Sequence, residues 1–148
     1  IDIDSVTDNV LSSARFGVFN MLDTALAGDA RGALRMLQGL RAEGVELAVM
    51  MWVFSRELRL LQALVADCAR GMPAQQALQQ QRVWKSRLSV LGAALERHDG
   101  RSLSQLLQLA LNADAATKGY GPGDAWQHLE TLLVALAQRV DLHPHPTA

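Results

Sequence analysis

The run "QQRVWKSR" places Arg82, Trp84, Lys85 and Arg87 together, an indole among three cations within six residues. That combination suits a nucleotide: a flat ring can stack on a base while guanidinium and ammonium groups take the phosphates. The same indole can equally belong to a core, because Trp84 shares a helical stripe with Leu88, Leu91 and Leu95. If a helix starts near Val83, the three cations stand at its positive end, an arrangement unfavourable by about 0.3–1 kcal/mol each. An anion held by free backbone N–H groups and the basic side chains would relieve it. A single unbroken helix over 74–98 would remove that electrostatic ground. Tyr120, set between Gly119 and Gly121, poses a similar alternative: folded back on the last turn of the helix before it, or presented on a tight loop for stacking.

Other chemistry finds no framework. The sequence contains no GxxxxGK[ST], no GxGxxG after a strand pattern, and no HExxH, CxxC or GxSxG, so phosphate cradles and zincin-type sites are not expected. His98, His128, His143 and His145 lack regular ligand spacing, and the pair in the tail "HPH" reads as solvated. Acidic residues are scattered singly and mostly balanced by arginine, which sets up no carboxylate pair for acid–base work. Neither a cofactor nor a metal nor an enzymatic activity is expected. Cys68 is the single cysteine; its apolar helical context reads as a small buried group, excludes an internal disulfide and fits a reducing compartment, the cytoplasm. The formal charge is −1, so nucleic-acid contact has to come from a local patch rather than from the whole molecule.

The elements that must position these residues are helices. Apolar residues recur at spacings of three and four nearly throughout, strand-like alternation is absent and only four prolines occur, which predicts an all-α protein. A length of 148 residues suits one domain, a single helical bundle burying roughly 68–70% of the surface its unfolded chain exposes. A short first helix is expected from about Ser5, at a weak capping box "SVTD", to Ala14, with "RFG" as a hinge. A second helix ends at Gly28, and Asp29 caps a third with the stripe Ala30, Ala33, Leu34, Leu37 and Leu40. The central helix is expected over 46–70, with one apolar stripe through Leu47, Met50, Phe54, Leu58, Leu61 and Val65 and another through Val49, Val53, Leu60 and Leu64. Its densest run, 47–54, stops at Ser55 and Arg56, well short of the roughly 20 residues of a membrane span. Trp52, within it, reads as core, and Trp126 as the seal of one bundle end. Residues 74–98 fit one helix or two. A helix over 102–118 carries an Asp114–Lys118 pair, and Asp124 caps the last helix before a frayed tail at 143–148. The start "IDIDSVTDNV" has neither initiator Met nor signal core, and reads as a piece of something longer.

The order of segments resembles a known family. The run "VFNMLDTALAGDARGALRMLQGLRAEGVELAVMMWVFSRELRLLQAL" is similar to the collar domain of bacterial clamp-loader subunits, and "RVWKSR", "ADAATKG" and a Tyr-Gly loop followed by Trp point to the delta type. The resemblance covers residues 3–139. It implies that residues 1–16 are the last helix of a preceding lid domain, 17–142 a helical collar and 143–148 a flexible tail. It further implies a non-catalytic part of an AAA+-like protein, whose collar joins those of the gamma/tau and delta prime subunits in a ring. Contact with the sliding clamp belongs to a first domain outside this sequence. The resemblance places Trp84 and Tyr120 at aromatic positions that can face primer-template DNA, with Arg82, Lys85 and Arg87 beside them. Rival readings are the collar of a gamma/tau-type subunit and an unrelated helical adaptor.

Overall fold

The structure, a computed structural model, describes residues 3–139, with side chains from residue 9 onward. The tail expected at 143–148, with His143 and His145, lies outside the described residues, as do the side chains of the "SVTD" capping box. Among the described residues the chain forms seven α-helices and no strand: α1 (Ile3–Leu26), α2 (Ala30–Ala42), α3 (Leu47–Ala69), α4 (Ala74–Gln80), α5 (Leu88–Arg97), α6 (Gly100–Thr117) and α7 (Ala125–Gln138), with a 3-10 turn, Lys85–Arg87, leading into α5. This is the all-α bundle that the periodicity predicts.

The expected hinge at "RFG" is absent, because Gly17 lies inside an unbroken α1. The glycine serves packing instead. A Cβ there would sit 2.9 Å from Cδ2 of Leu40, so α1 can approach α2 closely only where a side chain is missing. Buried positions on α1 begin at Val18 and continue through Met21, Leu22, Ala25 and Leu26. The αα-hairpin turns where expected: Gly28 takes a positive φ of 100°, and the Asp29 carboxylate accepts from the Gly32 amide at 2.9 Å.

α3 is the rod around which α1, α5 and α6 pack. Met50, Val53, Phe54, Leu58, Leu61, Leu64 and Val65 are buried, whereas Val49 and Leu60 of the second expected stripe are half-buried. Trp52 corrects the sequence expectation. It is 43% exposed, because the helical period puts it about 140° from Glu57, off the buried face of α3, where the Arg15 guanidinium of α1 lies over its ring.

One end of the bundle is tied by two neighbouring side chains. Arg97 donates to the Leu26 carbonyl at 3.2 Å and to the Leu136 carbonyl at 2.8 Å, so one guanidinium meets the negative ends of α1 and α7. His98, 3% exposed, donates from Nε2 to the same Leu136 carbonyl at 2.7 Å, and Nδ1 accepts from the Ser102 hydroxyl at 2.5 Å. The Leu136 bond is available to the ring in either protonation state, whereas acceptance from Ser102 needs the neutral ring. Burial lowers the His98 pKa, Arg97 and Arg139 push the same way, and the Leu136 bond and Asp99 oppose them only partly.

A second tie crosses the middle of the molecule. Arg87 donates to Asp23 of α1 at 2.8 Å and to Glu57 of α3 at 2.5 Å. Burial of the guanidinium works against its charge, but the hydrogen bonds and proximity of Glu57 and Asp23 outweigh that and raise its pKa. Glu57 is the more committed partner, its side chain only 9% exposed. Removing the guanidinium would strand a carboxylate inside the bundle.

Two outcomes follow for stability. Arg87→Ala lowers the unfolding free energy by about 3 kcal/mol, the low end of the cost of breaking a buried pair because Asp23 keeps some solvent. Arg87→Lys falls between that variant and wild type, having charge without the planar fork; urea unfolding followed by circular dichroism reads both. For His98 the folded pKa lies below the ordinary value of about 6.5. Its stabilisation is therefore complete above that value and is lost as pH falls beneath it, since the unfolded chain then binds the extra proton. The drop in urea midpoint between pH 7.5 and pH 5 is smaller in His98→Gln than in wild type.

Candidate nucleic-acid interface

The question posed by 74–98 resolves into two helices, and Arg82 makes the break. Its φ is 56°, the left-handed conformation that a glycine usually supplies after a helix. The Arg82 amide bonds the Gln79 carbonyl at 3.0 Å and the Val83 amide bonds the Leu78 carbonyl at 3.1 Å. Val83 also packs on the buried core that holds Leu78, completing the hydrophobic contact such caps carry. Holding an arginine in this conformation costs roughly 1–2 kcal/mol. Strain of that kind persists only where the surroundings fix it, and is a reason to look for function nearby.

Those surroundings are the next five residues. Trp84 is extended, with φ −62° and ψ 144°, and the Arg87 amide holds its carbonyl at 2.9 Å. The Arg87 side chain is in turn fixed to α1 and α3 by Asp23 and Glu57. The backbone of Trp84 is thus tied to the core through one residue while its side chain points away. Trp84 is 79% exposed, which corrects the core alternative: it stands before the 3-10 turn, off the Leu88–Leu91–Leu95 stripe. Arg82 and Lys85 flank it, both exposed and neither paired with a carboxylate among the described residues. Arg87 is the member of the sequence-derived set that the structure engages internally.

Tyr120 takes the second of its two alternatives, presentation on the loop. The helix end forms as predicted, with the Tyr120 and Gly121 amides both donating to the Ala115 carbonyl at 3.1 Å. It is Gly121 that lies against the last turn. A Cβ on it would fall 2.7 Å from the Ala115 Cβ and 2.9 Å from the Ala116 nitrogen, so the position nearest α6 has no room for a side chain. Tyr120 points outward and is 72% exposed. Among the described residues no hydrogen bond or ion pair joins its loop to residues 81–87, so the two aromatics stand on separate elements.

The remaining residues singled out in the sequence have structural settings. Trp126 is half-buried beneath the Arg41 guanidinium, 4.9 Å from its ring centre. Asp124 accepts from the Trp126 amide at 3.2 Å. Lys118 pairs with Asp114 at 2.9 Å, which raises its pKa, and Tyr120 adds to that shift. Cys68 is half-buried rather than enclosed. Among the described residues no helix is long and apolar enough to cross a membrane.

Three features escaped the sequence reading: the Asp23–Arg87–Glu57 cluster, the left-handed Arg82 and the two arginines on Trp52. One had a signal. Glu57 falls on the buried face of α3 with Met50, Val53, Phe54, Leu61 and Leu64, and a carboxylate at such a position requires a cation to meet it.

Residues 18–142 match the family model described as processivity clamp loader gamma complex DNA pol III C-term. The DNA polymerase III subunit delta of Escherichia coli (strain K12) is 31% identical over 139 residues, covering 94% of this chain and 40% of that protein. The corresponding subunit of Haemophilus influenzae is 26% identical over 144 residues, covering 92% of this chain and 42% of that protein. The chain therefore spans about two fifths of the length of these relatives. With the match running from the first buried position of α1 past the end of α7, the chain belongs to the family of clamp-loader DNA polymerase III C-terminal domains.

Proposed function

We propose that this chain is the collar end of a clamp-loader delta subunit, a non-catalytic helical domain that assembles with gamma/tau and delta prime subunits to support loading of the sliding clamp. Residues 17–142 are the collar, and 1–16 are the end of the lid. Support comes first from the family match over 18–142 and from relatives named as delta subunits, which favour delta over a gamma/tau collar. The boundary between the two parts falls inside α1, just before its buried positions begin at Val18.

Within that assembly Trp84 and Tyr120 contact primer-template DNA by stacking, and Arg82 and Lys85 take backbone phosphates. Arg87 holds the turn that presents them. The observation carrying this surface is the exposed Trp84, held on a strained turn between two cations that no described carboxylate neutralises. A ring left in water on a backbone so firmly fixed is preorganised for a flat partner.

The test uses the complete subunit reconstituted with gamma/tau and delta prime. Trp84→Ala and Tyr120→Ala each weaken binding of the assembly to primer-template DNA by about 5- to 150-fold, the range of one lost stacking contact of ~1–3 kcal/mol. Arg82→Ala and Lys85→Ala each reduce the salt dependence by about one phosphate contact. Unchanged binding, with the circular dichroism spectrum intact, would remove the DNA surface, and failure of the wild-type subunit to join the assembly would remove the collar reading.

A further inference from the structure

A second surface lies on the face of α3 roughly opposite Glu57. Trp52, Arg56 and Arg59 follow one another at spacings of four and three, one exposed strip of the helix. The guanidinium carbons of Arg15, from α1, and of Arg56 lie 4.4 and 5.5 Å from the centre of the Trp52 ring. Beside this strip an open groove runs between α3 and α6. Its floor is Met51, Leu58, Leu107, Ala110 and Leu111, and Arg59 stands on its edge. Leu111 is 63% exposed, unusual for a leucine in a helix that otherwise buries its apolar side.

The charge on this surface has one sign. Among the described residues Arg15, Arg56 and Arg59 have no carboxylate partner, and the groove's own carboxylate, Asp114, is held by Lys118 at 2.9 Å. An apolar floor with a cationic edge therefore sits on a chain whose formal charge is −1. A nucleic-acid backbone would use the cations and gain nothing from the floor. An amphipathic helix uses both: its apolar positions fill the groove, and acidic residues beside them meet the arginines. Tryptophan and arginine are also the residue types that carry most of the free energy of protein interfaces.

We infer that this α3–α6 face docks a helix of a partner protein, one with an apolar stripe flanked by carboxylates; resting on the clamp-loader reading above, that partner is a neighbouring subunit of the assembly. The face is distinct from the Trp84 turn, so assembly and DNA contact separate by mutation.

Complete subunits carrying Arg56→Glu with Arg59→Glu, or Leu111→Asp, are titrated into purified gamma/tau and delta prime, and the product is sized. Each variant lowers the apparent affinity tenfold or more while its circular dichroism stays that of wild type, and the arginine variant loses much of the salt dependence of assembly. Because all three residues are exposed, the variants fold; Arg56→Gln with Arg59→Gln, which removes charge without reversing it, gives a smaller loss in the same direction. Wild-type assembly together with equal assembly of the variants overturns this surface alone. Normal assembly with a weakened grip on primer-template DNA marks a nucleic-acid face and also overturns it. A wild-type subunit that fails to assemble overturns the clamp-loader reading and this inference with it.

Discussion

The guanidinium of Arg87, held between Asp23 and Glu57, sets the course of the chain between α4 and α5. Three helices meet through it: α1 supplies one carboxylate, α3 the other, and the arginine stands at the entry to α5. Placed alone at the positive end of a helix, an arginine would be repelled by the backbone amides. Two carboxylates from neighbouring helices reverse that sign. With the end of the linker pinned and its start turned by Arg82, the residues between have little freedom, and the Trp84 ring is left outside the bundle.

Local fields of this kind explain how a nearly neutral chain can carry two surfaces of different chemistry. At the Trp84 turn the left-handed Arg82 and the 3-10 Lys85 flank an exposed indole, as suits contact with phosphates and a flat base. On the α3–α6 face the cations edge an apolar groove, as suits a side chain or a helix. Salt weakens both, since their charges are exposed. The exposed ring of the first and the apolar floor of the second are the components that salt leaves in place.

The helices were legible because each buries one face, and a period near 3.6 survives in the positions of leucine and alanine. The caps at Asp29 and Asp124 were legible for the same local reason: a carboxylate three or two residues before an amide reads directly along the chain. Two errors and one open alternative share one cause. Gly17 reads as a hinge until Leu40, 23 residues away in sequence, is seen against it. Trp52 reads as core until its face proves to meet the guanidinium of Arg15 from α1 and not an apolar neighbour. Tyr120 reads as folded back until Gly121 proves to be the residue pressed on α6. Each turns on which neighbour arrives, and that is decided by packing between distant segments rather than by the residues at hand. For the set proposed to face DNA, the residue types were readable and their directions were not: Arg82, Trp84 and Lys85 are exposed, while Arg87 turns in to carboxylates 64 and 30 residues away.

Because α1 continues without a break through Gly17, it acts as a stiff lever. Its 24 residues extend about 36 Å at 1.5 Å per residue, and ahead of Val18 its described side chains Val10, Leu11 and Phe16 are exposed. A joint at Gly17 would have dissipated any push or twist arriving from the far end. A continuous rod instead delivers it to Met21, Leu22 and Asp23, the last of which grips Arg87. Force applied near residue 9 thus has a mechanical route to the mount of the Trp84 turn, with no flexible coupling along the way.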